Sequence, residues 1–150
     1  MSQAKKLTDK LKRKLELLAQ SSIDVGIPKE ESGQKDGETI YLADIANVNN
    51  FGSYSRNIPA RPFGTTTVTR YQEQIKKIIQ VQMNDILEKN KDVKKGFDAI
   101  GAVCAGYMKK NLTDGEWKAN AQYTIDKKGS DQPLIDTGQM RQSITWRVNE

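Results

Sequence analysis

The sequence predicts an α+β fold in which several helices pack on a small antiparallel sheet and are joined by long loops. Three observations carry that reading. Apolar residues recur at helical spacing in long stretches, two short alternating segments lie far apart in the chain, and polar stretches with Gly and Pro separate these elements. A chain of 150 residues matches one domain, spanning 1–150, with a core of its own. At 36% hydrophobic and 29% charged residues that core is modest, yet the composition falls short of the disordered class.

Over residues 1–20, Leu7, Leu11, Leu15 and Leu18 keep helical spacing while lysines fill the other faces, an amphipathic helix ended by Gln20-Ser21-Ser22. Ile23-Asp24-Val25-Gly26-Ile27 then alternates apolar and polar side chains and is stopped by Pro28, which predicts a short strand. Residues 29–38 place Gly33 and Gly37 among charges and read as a mobile surface loop. From Thr39 the pattern is helical again, with Leu42, Ile45, Ala46 and Asn49 on one side. Phe51-Gly52 closes that helix, Gly52 being suited to a left-handed C-cap.

The segment Asn57-Ile58-Pro59-Ala60-Arg61-Pro62-Phe63 follows directly. Each proline fixes its own φ and pushes Ile58 or Arg61 out of the helical region, so the segment is extended or turned and is no central strand. The result is a stiff arm carrying Ile58, Arg61 and Phe63. Little entropy is lost when a stiff arm docks, and Arg and aromatic residues are favoured interface anchors. The same stiffness suits a loop packed on its own domain, and the residues leave both readings open. Phe51, Tyr54 and Phe63 bracket the prolines and can form one apolar cluster around them.

After Gly64 and a threonine run, Val68, Tyr71, Ile75, Ile78, Ile79, Val81, Met83, Ile86 and Leu87 predict one long helix, broken or capped near Asn90 and Asp92. A second stripe of Val93, Phe97, Ile100, Cys104 and Tyr107 or Met108 predicts a helix to about Lys110, its Gly96, Gly101 and Gly106 serving close approach to a neighbour. Residues 113–133 read as a long irregular, mobile loop with Trp117 and Tyr123 as apolar pegs. Pro133-Leu134-Ile135-Asp136-Thr137-Gly138 is then a turn, with Asp136 or Thr137 capping a short helix that holds Arg141. Ser143 to Val148 alternates strictly and predicts a last strand that pairs with Ile23 to Ile27.

With no histidine and one cysteine, the chain holds no Ser-His-Asp or Cys-His pair, no His general base, no disulfide and no cysteine-only metal site. Cys104 stands among Ala102, Val103 and Ala105 and reads as core. Asp24, Asp126, Asp131 and Asp136 lack a partner base or ligand set and read as turn or cap residues. No P-loop, dinucleotide fingerprint or membrane-length apolar stretch is present, so no enzyme activity, cofactor, metal or membrane is expected. The net charge of +5 permits weak binding to nucleic acid, but acidic residues interleave with the basic ones as on a solvated helix face.

Four stretches in order carry a resemblance: Ala46 through Phe51-Gly52, Ile58 to Phe63, Thr124 through Gly129, and Pro133 to Gly138 with Arg141 and Ser143-Ile144. Together they resemble the tail-completion or neck proteins of tailed bacteriophages, over Ile23 to Val148. The chain departs from that pattern with Asn50 in place of Glu, Gly64 in place of a large apolar residue, and Ala119 in place of Pro. The resemblance implies a virion subunit at the head-tail junction, made in the host cytoplasm. Such subunits form a homo-oligomeric ring, hexameric or dodecameric, that meets other neck, connector and tail proteins while genomic DNA passes through without sequence-specific binding. A tail terminator or connector stopper is the neighbouring alternative, and a small basic DNA-binding protein the alternative from another class. The expected subunit interface is Phe51, Gly52, Ile58, Pro59, Arg61, Pro62 and Phe63. Within it Arg61 would pair with a neighbour's carboxylate and Phe51 and Phe63 would fill a groove, while Pro133, Asp136, Thr137, Gly138 and Arg141 form a structural turn.

Overall fold

A computed structural model describes residues 2–30, 40–134 and 138–150. The expected mobile loop over 29–38 and the capping roles of Asp136 and Thr137 therefore lie, for residues 31–39 and 135–137, outside the described residues. The elements run α1 (Gln3–Gln20), β1 (Ser22–Gly26), α2 (Leu42–Phe51), α3 (Thr67–Arg70), α4 (Gln72–Glu88), α5 (Val93–Asp114), α6 (Gln122–Lys128), α7 (Gln139–Gln142) and β2 (Thr145–Asn149). Among the described residues this is an α+β fold, helices packed on a two-stranded antiparallel sheet.

A two-stranded sheet is marginal in water unless something covers its apolar face. Here β1 and β2 pair from Ser22 opposite Asn149 to Gly26 opposite Thr145, which puts Ile23, Val25, Trp146 and Val148 on one face. That face lies on α5. Gly101 makes the approach possible, because a Cβ there would collide with the Trp146 ring and crowd Ile23. The opposite face is polar, with the Asn149 side-chain amide donating to Asp24 Oδ2 at 2.8 Å.

The helix α5 is the central element, touching the sheet, α1, α3, α4 and α7. Its Ala105 and Leu112 join Ala46, Phe63, Leu134, Met140 and Ile144 in a buried cluster. Gly96 admits the side chain of Ile86 from α4, whereas Gly106 faces open space and serves no close approach, contrary to expectation. The turn between α4 and α5 uses Asn90 at φ 58° and Asp92 as N-cap, its carboxylate accepting from the Lys95 N–H at 3.0 Å. The single long helix expected from Val68 to Leu87 is instead two. Tyr71 leaves helical geometry (φ −113°, ψ 25°) and stacks on Tyr107 at 4.5 Å between ring centres.

Residues 113–133 are not wholly irregular. The helix α5 continues to Asp114, and α6 ends at Gly129 in the left-handed conformation, with Lys127 and Lys128 in its last turn. No residue of α6 is buried, so it has no apolar stripe by which periodicity could reveal it. Trp117 is a peg as expected, its indole N–H donating to the Leu112 carbonyl at 3.1 Å, but Tyr123 is exposed and pegs nothing.

Cys104 is half-buried rather than in the innermost core, and that burial pushes its thiol pKa up. Thiolate is therefore scarcer in the folded chain than in the unfolded one near pH 8. Ellman's reagent is expected to react at least about tenfold more slowly with the native chain than with the urea-unfolded chain; equal rates would contradict the assigned burial.

Candidate assembly surface on the proline-braced arm

The face of α2 that enters the core is set by its spacing, Leu42, Ala46 and Asn50 falling on one line. Phe51 is one residue further round and points away from that line, leaving it 67% exposed. Gly52 ends the helix at φ 77° and ψ 177°, so its φ is positive as expected but its ψ is extended, a conformation reserved for glycine. The chain then folds into a small hairpin. Ser53 and Ile58 exchange both backbone hydrogen bonds at 2.9 Å, and Asn57 at φ 51° completes the turn that starts at Tyr54. Tyr54 is fully exposed at the tip beside exposed Arg56.

The root of the hairpin is fastened to its own chain. The Arg61 backbone N–H donates to the Asn49 carbonyl at 2.8 Å, and the Asn50 side-chain oxygen accepts from the Gly64 N–H at 2.9 Å. Phe63 is 4% exposed and belongs to the core cluster. Arg61 is 5% exposed. Its Nε donates to the Lys118 carbonyl at 2.9 Å, and its Nη2 to the Ala119 carbonyl at 3.2 Å and to Asn120 Oδ1 at 3.1 Å. Burial pulls the guanidinium pKa below its ordinary value. All of these partners are neutral acceptors, so among the described residues Arg61 acts as a clamp on a loop and forms no salt bridge.

These positions correct the sequence reading in three respects. Arg61 and Phe63 are not presented to a neighbour; they hold the arm to its own domain. Phe51, Tyr54 and Phe63 do not make one cluster, because Phe63 turns inward while the other two stay outside. The exposed anchors of the arm are therefore Phe51, Tyr54 and Arg56, with Gly52, Ile58, Pro59 and Pro62 half-buried between tip and root. Tyr54 and Arg56 were not singled out as interface residues, although their place between Gly52 and Pro59 marks them as the loop tip.

The expected structural turn is placed in part. Leu134 is buried at φ 65°, Gly138 precedes α7 at φ 81°, Pro133 is half-buried and Arg141 is exposed. Between this turn, α2, α6 and the arm lies a cleft of about 480 Å³, lined by Arg56, Ile58, Pro59 and Arg61 among others. Its described lining holds no carboxylate, cysteine or histidine, and no described group of residues is placed to hold a metal ion. No described helix is long and apolar enough to cross a membrane.

Because the Arg61 fork meets four neutral acceptors, Asn49 Oδ1 at 3.5 Å being the fourth, Arg61→Ala is expected to lower stability by about 2 kcal/mol, and Arg61→Lys to recover little of it, since an ammonium cannot reproduce the planar fork. Urea denaturation midpoints of the three chains check this. A neutral Arg61→Ala would return Arg61 to the role of a presented side chain. Compared with protein-family models, with curated proteins and with solved structures, the chain matches none of them.

Proposed function

We propose that this chain is a non-enzymatic structural subunit of the head-tail junction of a tailed bacteriophage, assembling as a ring that completes the tail or joins it to the capsid. The observation that carries the reading is the arm, a hairpin rigid at its root and bare at its tip, where Tyr54 is wholly exposed, and springing from the end of α2, where Phe51 is 67% exposed. An aromatic pair on a preorganised projection loses little entropy on docking and belongs to the residue types that dominate interfaces. An arm that reaches from one copy to a different surface on the next makes a heterologous contact, which closes into a ring when the rotation permits. The order of the arm, the Thr124 to Gly129 stretch and the Pro133 to Gly138 turn supplies the resemblance that names the ring.

Native mass spectrometry of the purified chain is expected to give one closed oligomer, and Tyr54→Ala with Phe51→Ala to give monomer with unchanged circular dichroism. A wild-type chain that stays monomeric at high concentration, or an oligomer indifferent to both substitutions, would overturn the reading. Duplex DNA is expected to bind weakly at physiological salt. A tight complex whose affinity falls with a log-log salt slope of several units would favour a DNA-binding protein instead.

A further inference from the structure

The helix α1 is amphipathic yet has no buried residue. It reaches the body at its C-terminal half, where Leu18 is half-buried and the Lys14 ammonium donates to the Ile86 carbonyl in the last turn of α4 at 2.7 Å. At about 100° per residue, Leu7 and Leu11 point within about 20° of the direction of Leu18. They lie on the same apolar line about 10 to 16 Å further from the body contact. Leu7 is nevertheless 70% exposed and Leu11 47%. The apolar stripe that begins on the body therefore continues past it, and among the described residues its outer half is exposed.

The charges and geometry choose among occupants. Of the 24 basic and 19 acidic residues, six and two lie on α1, a net of +4, which leaves 18 and 17 elsewhere, a net of +1. A second copy would bring another strongly positive helix and a body close to neutral. A bilayer would have to lie tangent to Leu7, Leu11 and Leu18 at once, and the body occupies that side at Leu18. Nucleic acid would match the lysines and leave the leucines in water. We infer that the overhang of α1 docks on a different protein, into an apolar groove rimmed by carboxylates, with Leu7 and Leu11 in the groove, Lys6 and Lys10 toward one rim and Lys12 toward the other. This goes beyond the ring proposal and stands independently of it.

Calcium-loaded calmodulin, whose groove takes basic amphipathic helices, is the probe for the full chain. Isothermal titration is expected to give a Kd of about 1 μM or tighter. Leu7→Glu with Leu11→Glu should weaken it at least about tenfold, with melting little changed because both side chains are exposed. Lys6→Glu, Lys10→Glu and Lys12→Glu together should weaken it and flatten its salt dependence. No binding to calmodulin, or a double leucine variant that binds as well as the parent, overturns the inference. So does stronger binding to phosphatidylcholine vesicles with about one-third phosphatidylserine, or to duplex DNA. Loss of self-association in the double leucine variant would make a second copy the occupant and also overturn it, whereas loss confined to Tyr54→Ala bears on the arm alone.

Discussion

Asn111→Ala is expected to destabilise the chain by about 3 to 4 kcal/mol, the largest effect of any single side chain outside the apolar core. Asn111 is fully buried on α5. Its amide nitrogen donates to the Phe63 carbonyl at 2.7 Å, to Thr66 Oγ1 at 3.0 Å and to Thr67 Oγ1 at 3.3 Å, and its oxygen accepts from Arg70 Nη1 at 2.9 Å. One side chain thus ties the root of the arm and both ends of α3 to the central helix. Truncation takes the amide donor from the Phe63 carbonyl and the Thr67 hydroxyl where water does not reach, so their desolvation is less well compensated, while the exposed Arg70 turns to water. Asn111→Leu should be no better, because added apolar volume cannot satisfy them. Equilibrium urea unfolding measures the loss; a shift below about 1 kcal/mol would mean that neighbouring hydroxyls or water replace the amide.

Gly52→Ala should cost about 3 kcal/mol, by a different mechanism. At φ 77° and ψ 177° a Cβ would stand 2.8 Å from the Ala60 nitrogen and 2.9 Å from the Ile58 carbonyl oxygen. Both obstacles are backbone, and they cannot retreat easily while Ser53 and Ile58 share two hydrogen bonds and Arg61 is bonded to Asn49. The strain falls on the hairpin, so the arm should loosen before the core does. Trypsin cleavage after Arg56 should accelerate in Gly52→Ala even in urea too dilute to unfold the chain, and the oligomer should weaken with it. Cleavage and unfolding that keep the parent rates would show that the arm relaxes around a Cβ at no cost.

Local spacing was enough to place α1, β1, α2, α5 and β2, because each element carries one apolar face and such a face leaves a period in the chain, even in α1 where no residue is buried. Asn111 continues the spacing of Val93, Phe97, Ile100, Cys104 and Tyr107, but it lies past Lys110, where the sequence pattern ends the helix, so its burial was not legible. The bend at Tyr71 was not legible either, since it answers to Tyr107 across the fold. Neither was α6, which buries nothing.

The amino-acid sequence by itself determined that residues 57–63 form a stiff, non-helical segment, for proline imposes its backbone angles wherever it stands. Only the tertiary structure decided what that segment does with its side chains. Arg61 finds its acceptors at Lys118 to Asn120, more than fifty residues away, and Phe63 finds the core through α5. Proline chemistry is local, but the partner of a side chain depends on which distant elements the fold brings beside it, and no spacing within the arm encodes that.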